Sequence, residues 1–274
     1  MNLPTEGSIV PGKAAPGGGL CRWLVSLDFD GTLRQENGPA IPGEFFEKME
    51  ELRPYGVRWG INTGRTLPYL SSELLPCSPV LPDFICTCER YIYMADEAGT
   101  LHPATEHNCE CERINQQLRQ AFQPTLHRTL GAIRHTYPEL QWEIAATDPL
   151  SVEAEDSETM DSLMPLLTPL TTAAITIQRA GRYLRFADAR FNKGTALAYI
   201  CRELGLHPEQ LFIMGDGHND IDAFSLFDGA YCVAPANAHP EVAAWLHTNG
   251  GRVSPYTGVI HALQEWFYER VYRA

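Results

Sequence analysis

Leu24-Val25-Ser26-Leu27-Asp28-Phe29-Asp30-Gly31-Thr32-Leu33 decides how the chain folds. Its apolar start is too short for a helix and stops at Gly31, so it reads as a buried strand. The run delivers two carboxylates, Asp28 and Asp30, at the strand's C-terminal end. That is the end at which open α/β sheets bind ligands. Side chains i and i+2 share a side of a strand, and a loop starting at Gly31 can turn both carboxylates toward one ligand. Two clustered carboxylates repel each other, so a cation between them is the economical arrangement. An acidic surface turn would carry the same residues, so the pair needs support from elsewhere in the chain.

The flanking segments say what kind of sheet receives this strand. After a polar loop, Arg34 to Ala40, Pro42 opens a helix whose Phe45, Phe46, Met49 and Leu52 form an i, i+1, i+4, i+7 stripe. Pro54 and Gly56 end it. Val57 to Ile61 reads as a second short strand that runs into Asn62-Thr63-Gly64-Arg65, and a helix is expected from Pro68 to Leu75. Strand, helix, strand, helix in that order predicts a parallel, doubly wound α/β sheet.

The pattern then changes. Pro76, Pro79 and Pro82 mark a crossing segment, Asp83 to Cys88 and Tyr91 to Met94 read as strands, and Asp96 to Gly99 reads as a hairpin turn. A long polar helix is expected over Cys111 to Tyr137, bent or broken near Pro124. Trp142 to Ala146 and Ser151 to Glu155 read as strands, Glu158 to Leu167 as a helix. Ile175 to Gln178 and Tyr183 to Phe186 read as a hairpin around Ala180-Gly181. Hairpins here, against crossover helices elsewhere, predict a separate α+β insertion over residues 84–187. From Lys193 the α/β pattern resumes. A helix runs to Leu204 and ends at Gly205. A strand from Leu211 to Met214 leads into Gly215-Asp216-Gly217-His218-Asn219-Asp220. A strand at Ala230 to Val233, a helix near Pro240 to Leu246 and a C-terminal helix complete the chain. The expected organisation is therefore a core of residues 21–83 and 188–274, an insertion of 84–187, and a flexible Pro/Gly-rich leader over 1–20.

Composition narrows the function. With 44% hydrophobic and 20% charged residues, the 274-residue chain should build a proper core of one large domain or two modest ones. A formal charge of -13 repels phosphate backbones, which argues against a nucleic-acid partner. A small anionic substrate remains compatible where local positive charge or a metal overrides that field. The eight cysteines are spread along the chain, not packed into a small secreted framework. The pairs Cys86/Cys88 and Cys109/Cys111 admit a zinc reading, against which stand their CxC spacing and the strand-like run around Cys86; buried reduced thiols are the plainer reading. No apolar run approaches the ~18 residues of a membrane span. The first residues lack the apolar region of a signal peptide, so a cytoplasmic protein without a membrane partner is expected.

Four strand-end motifs now line up: Asp28-Phe29-Asp30-Gly31-Thr32, Thr63-Gly64-Arg65, Lys193, and Gly215-Asp216 through Asp220. Each has an ordinary explanation. Thr63 could cap a helix, Lys193 could be a solvated first-turn lysine, and Asp216 and Asp220 could cap and salt-bridge a helix. Those explanations leave the shared order and placement unaccounted for. Together the motifs resemble the haloacid dehalogenase-like phosphohydrolase superfamily, matching it at Asp28 and Asp30, Thr63, Lys193, and Asp216 with Asp220. The insertion resembles the class IIB cap of the Cof-type and sucrose-phosphatase-like branch. Ala236-Asn237-Ala238 with Pro240-Glu241, and Gly258-Val259, resemble that branch's late segments, so the likeness spans residues 21–270. Two departures stand out. Cof-type proteins usually carry Asn-Gly shortly after the first cap strand, where this chain has Glu89-Arg90 after Cys88. The cap-to-core linker is also altered around Asp188-Ala189-Arg190-Phe191-Asn192.

The resemblance implies a Rossmann-like core with an inserted cap, and a phosphatase mechanism. Asp28 would be the nucleophile, forming an aspartyl phosphate, and Asp30 the general acid and base. Mg2+ would sit among Asp28, the Asp30 backbone carbonyl and Asp216, with Asp220 also counted at the metal site. Thr63 and Lys193 would hold phosphate oxygens. Asp220 would orient Lys193, and Asn219 would support the metal shell. Gly31 and Gly64 would let backbone N–H groups approach the phosphate, with Arg65 beside them. A closing cap would exclude water, so specificity is sought in Glu89, Arg90, Glu143, Arg182 and Arg185. The implied substrate is a small phosphorylated metabolite, foremost a sugar phosphate. A phosphomutase of the phosphomannomutase kind and a non-catalytic ligand-binding protein on the same fold are the competing readings.

Overall fold

The computed structural model describes residues 20–35, 41–74, 76, 78–145 and 148–273. Apart from Leu20, the leader expected over 1–20 lies outside the described residues. The chain opens with β1 (Trp23–Leu27), α1 (Gly43–Leu52), β2 (Val57–Asn62), α2 (Leu67–Glu73) and β3 (Phe84–Thr87). Then come β4 (Tyr91–Ala95), β5 (Leu101–Pro103) and the long α3 (Thr105–Thr136). The middle holds β6 (Trp142–Ile144), β7 (Ser151–Ala154), α4 (Ser157–Leu167), β8 (Ile175–Ala180) and β9 (Tyr183–Asp188). The last part runs α5 (Lys193–Leu204), β10 (Leu211–Met214), α6 (Ile221–Leu226), β11 (Tyr231–Ala234), α7 (Pro240–Thr248), β12 (Arg252–Val253) and α8 (Ile260–Trp266).

Two sheets result. The large one has the order β12-β11-β10-β1-β2-β3-β4-β5, and the small one β6-β7-β9-β8. From β12 to β3 every neighbour is parallel. The chain winds outward from β1 through β2 to β3, then returns to β10 on the other side of β1. The order therefore reverses between β1 and β10, where such sheets open a crevice at their carboxyl ends.

The alternation along β1 explains why both faces are covered. Val25 and Leu27 join one apolar cluster with Phe45, Met49, Trp59 and Trp266, while Leu24 joins the opposite one with Leu197, Ile200 and Val242. All three β1 residues are fully buried. The stripe of α1 packs as its spacing predicts, with the Phe45 ring edge-on to Trp59 at 4.9 Å. A third cluster joins the small sheet (Val152, Leu184, Phe186) to α4 (Met160, Leu163) and to Phe122, Leu126 and Leu130 of α3.

Two expectations are corrected. The large sheet does not stop before residue 84: β3 pairs in parallel with β2, and β4 and β5 extend it as antiparallel edge strands. A hairpin can close the edge of a parallel sheet, so hairpins do not by themselves mark a second unit. The small sheet begins only at Trp142. Second, α3 starts at Thr105 and passes through Pro124 unbroken. Proline removes one hydrogen bond from a helix interior. Here buried residues on both flanks, Cys111 and Ile114 before it and Leu126 and Leu130 after it, hold the helix together. Its first half is also tied to the large sheet: Asn108 accepts the Ile92 N–H and donates to the Ile92 carbonyl, at 2.8 and 2.9 Å.

Candidate active site

The β1/β10 crevice gathers the strand-end motifs. Asp28 follows β1 and Asp216 follows β10. Lys193 is the first residue of α5, and its position is fixed by the cap before it. Asn192 accepts the Thr195 N–H while the Thr195 hydroxyl accepts the Asn192 N–H. From there Lys193 Nζ reaches Asp28 Oδ1 at 2.9 Å and donates to Asp220 Oδ1 at 2.7 Å, and the side chain is buried. Asp220 in turn accepts the Gly217 N–H at 2.9 Å. The lysine is thus neither solvated nor free: its amine is held between Asp28 and Asp220.

The electrostatics of this group are unbalanced. Burial pushes the Asp28 carboxyl up to about 7, with Asp220 adding to the rise and Lys193 opposing it. Burial and the nearby Asp28 push Asp216 up to about 7 as well, and burial pushes Asp220 up to about 6 against the pull of Lys193. Burial works against the charge of Lys193, but Asp220, Asp28 and Glu89 outweigh it and hold the amine protonated. One cation faces three carboxylates. Asp28, Asp216 and Asp220 each offer an oxygen within 4.8 Å of the others. An all-oxygen set with surplus negative charge suits a hard divalent cation such as Mg2+.

Close packing protects this arrangement. Gly31 has φ +75, and a Cβ there would lie 2.2 Å from Asp216 Oδ2. A Cβ at Gly215 would lie 2.1 Å from the Asp220 carboxyl carbon. Either substitution would drive a side chain into the acidic cluster. Three supporting residues carry no role in the sequence reading. Thr32 donates to Asp216 Oδ1 at 2.8 Å, Asn237 donates to the Gly31 carbonyl at 2.7 Å, and Asn62 donates to the Lys193 carbonyl at 2.8 Å. Asn62 ends β2 and Thr32 follows the glycine turn, so polar residues at strand ends and turns were the available signal.

Thr63 is buried, and its Oγ1 accepts the Arg65 N–H at 3.2 Å; the helix cap is Thr66. Gly64 follows at the same turn. The Asp30 carboxylate meets Arg65 Nε at 2.6 Å, and the Arg65 guanidinium lies over the Tyr69 ring at 4.6 Å. The Asp30 carboxylate is not among the three that lie within 4.8 Å of one another.

The residues in which specificity was sought divide. Glu143 is exposed on β6, and Arg182 is a half-exposed partner of Glu153 at 2.6 Å, so both are ordinary surface charges. Arg90 is buried with its guanidinium near the Tyr91 ring. Glu89 and Arg185 are buried together. Arg185 donates to Glu89 Oε2 at 3.2 Å and to the Cys88 carbonyl at 2.9 Å, while Asn219 donates to Glu89 Oε1 at 2.6 Å. Asn219 thus faces this carboxylate. Cys88 and Glu89 both have positive φ, 49 and 62. Left-handed backbone costs a non-glycine residue ~1–2 kcal/mol.

Two further sets of titratable groups lie outside this crevice. His218 meets Glu241 at 2.9 Å and His239 accepts the Glu241 N–H at 3.3 Å, so these groups satisfy one another beside α7. The cysteines among the described residues are unbridged, and burial pushes the Cys111, Cys201 and Cys232 thiols up, Cys111 to about 12.

Comparison with known proteins agrees with this geometry. The haloacid dehalogenase-like hydrolase family matches residues 83–263, a stretch that contains Lys193, Asp216 and Asp220. A phosphoglycolate phosphatase from Methanopyrus kandleri is 28% identical over 220 residues, 80% of this chain and 86% of that protein. A mannosylfructose-phosphate phosphatase from Agrobacterium fabrum is 23% identical over 254 residues, 89% of this chain and 96% of that protein. The solved structure of a Synechocystis sucrose-phosphatase with sucrose and phosphate shares the fold, with a TM-score of 0.64 and 18% identity over 91% of this chain and 98% of that one.

Proposed function

The chain belongs to the haloacid dehalogenase-like hydrolase family, and from that premise we propose that it is a Mg2+-dependent phosphatase of a small phosphorylated metabolite. One observation carries this reading: Lys193 Nζ bridges Asp28 and Asp220 at the sheet's switch point, beside Asp216. Phosphoryl transfer requires a nucleophile with positive charge close by, and here the chain sets the Lys193 amine against Asp28 and adds carboxylates that would hold a divalent cation. A curated relative named for mannosylfructose phosphate and a fold neighbour holding sucrose and phosphate support a sugar phosphate as the substrate. Relatives named for phosphoglycolate make that smaller ester the first alternative to test.

The residues divide the work as follows. Asp28 attacks phosphorus, the ester P–O bond breaks, and an aspartyl phosphate forms. Lys193 offsets the repulsion between the Asp28 carboxylate and the phosphate, and Thr63 and Gly64 line the phosphate's other side. Asp30 gives the leaving oxygen its proton, for which Arg65 must release the carboxylate it now holds. Water then hydrolyses the acyl phosphate, returning a proton to Asp30 and freeing phosphate. Asp28 and Asp216, with Asp220 beside them, would hold Mg2+, which neutralises charge on the transferring phosphoryl oxygens when bound.

The test is phosphate release over a panel of sugar phosphates and phosphoglycolate, with Mg2+ and with chelator, alongside a search for isomerised product. Release that needs Mg2+ is expected. Isomerisation with phosphate retained would identify a mutase, and no turnover of any ester would sink the proposal.

A further inference from the structure

The Cys88–Glu89 turn stands out because it keeps two non-glycine residues in left-handed backbone directly between the large sheet, the small sheet and the Lys193 loop. Strain of this kind persists only where surrounding structure enforces it, and it collects at functional positions. Glycine or asparagine would take this backbone at lower cost. The chain instead keeps a glutamate, and buries it.

The turn is bonded to three separate parts of the molecule. The Cys88 and Glu89 N–H groups donate to the Arg65 and Thr63 carbonyls, both at 2.9 Å, which fixes the turn to the second motif. Glu89 Oε1 receives Asn219, the residue preceding the Asp220 that holds Lys193. Glu89 Oε2 receives Arg185, which stands on β9 of the small sheet. Arg185 also donates to Gln178 at 2.8 Å, and Gln178 donates to the Phe191 carbonyl at 2.6 Å. Phe191 lies two residues before Lys193. The network therefore grips Lys193 from both sides: through the linker that leads into α5, and through the loop that carries Asp220. Glu89, Arg185 and Asn219 are each at most 6% exposed, so water does not compete for these bonds.

We propose that Glu89 is a positioning residue, whose carboxylate makes Arg185 of the small sheet and Asn219 of the β10 loop share one anchor and so sets the placement of Lys193. The inference rests on the phosphatase reading. A merely structural ion pair would behave differently. A buried pair can be replaced by apolar side chains with little loss of stability, so a purely structural role predicts that such a replacement keeps activity.

The experiment compares the full-length protein with Glu89→Gln, Asn219→Ala, the double variant Glu89→Gln/Asn219→Ala, and the apolar replacement Glu89→Leu/Arg185→Leu. Turnover of p-nitrophenyl phosphate and binding of inorganic phosphate by calorimetry, both with Mg2+, are read beside thermal stability. Glu89→Gln is expected to lower kcat about 10-fold or more while KM changes by less than about 3-fold. In the Asn219→Ala background the same substitution should add less than about 2-fold, because the two act as one unit. The apolar pair should fold and still lose about 10-fold or more in kcat. Retained kcat in the folded apolar pair, or independent effects of Glu89 and Asn219, would overturn the proposal. Should the wild type hydrolyse no ester, the phosphatase reading fails by itself. The positioning role is then judged on phosphate affinity, which Glu89→Gln should weaken about 5-fold or more, and equal or absent binding by all variants overturns it.

Discussion

The charges at the carboxyl edge of the large sheet and those on the small sheet follow opposite rules. Around Lys193 one buried cation serves Asp28 and Asp220, with Asp216 close by, so negative charge is left over. Away from Glu89, charges on the small sheet pair one to one: Arg182 meets Glu153 at the surface, and the buried Arg179 reaches the exposed Asp161 of α4. Exposed pairs contribute little because water screens them. A buried, unbalanced cluster is costly by itself and becomes favourable once a ligand or metal discharges it. The contrast teaches where to look for chemistry: in the place whose charges the chain alone does not balance.

The strongest way to break this contrast is Asp28→Asn. It should leave circular dichroism unchanged and turnover below ~1% of wild type. A well-folded variant with higher activity would take Asp28 out of the nucleophile's role.

Removing the cluster's cation comes next. Lys193→Met should cost about 3 kcal/mol or more of stability in the metal-free protein, since it strands buried carboxylates. Urea unfolding measures it, and added Mg2+ should recover part of the loss. A variant as stable as wild type would show that the cluster is better solvated than its burial implies.

Acidity separates the regions without mutation. Asp28 and Asp216 sit at about 7 and Asp220 at about 6, all above the ordinary 3.8. A carboxyl raised in the fold favours folding when protonated, and that contribution is lost as pH rises through the folded value. The chelated protein should therefore lose stability between about pH 4 and 7, from the ordinary value to the raised ones, as Tm would record, and Mg2+ should flatten the slope. Equal slopes with and without Mg2+ would mean that no cation enters the cluster.

The smallest effects belong to the small sheet's open charges. Arg182→Ala should cost less than ~1 kcal/mol and leave kcat/KM for p-nitrophenyl phosphate within ~2-fold. Glu143→Gln should behave alike toward that ester. A change of more than ~10-fold in the preference between a sugar phosphate and p-nitrophenyl phosphate would place Glu143 against the substrate and sharpen the search for specificity.

Much of this site was legible from residue order. A short apolar run, its terminal carboxylates and the alternation of strands and helices fixed the parallel sheet and put Asp28, Thr63, Lys193 and Asp216 at its carboxyl edge, because strand period and chain direction are local properties. Membership of a sheet is not local. β4 and β5 read as hairpin strands in any setting, and only pairing with β3 decided that they extend the large sheet. Pro124 looked like a break, and packing on both sides overrode it. The partners of buried charges were set in the same way. Nothing near Glu89 in sequence points to Asn219 or Arg185, which lie 130 and 96 positions away. A buried charge takes whichever opposite group or donor folding brings within hydrogen-bond reach, so the sequence by itself determined which groups could do chemistry. Only the tertiary structure decided which of them share a carboxylate, since desolvation makes such pairing obligatory after the chain has closed.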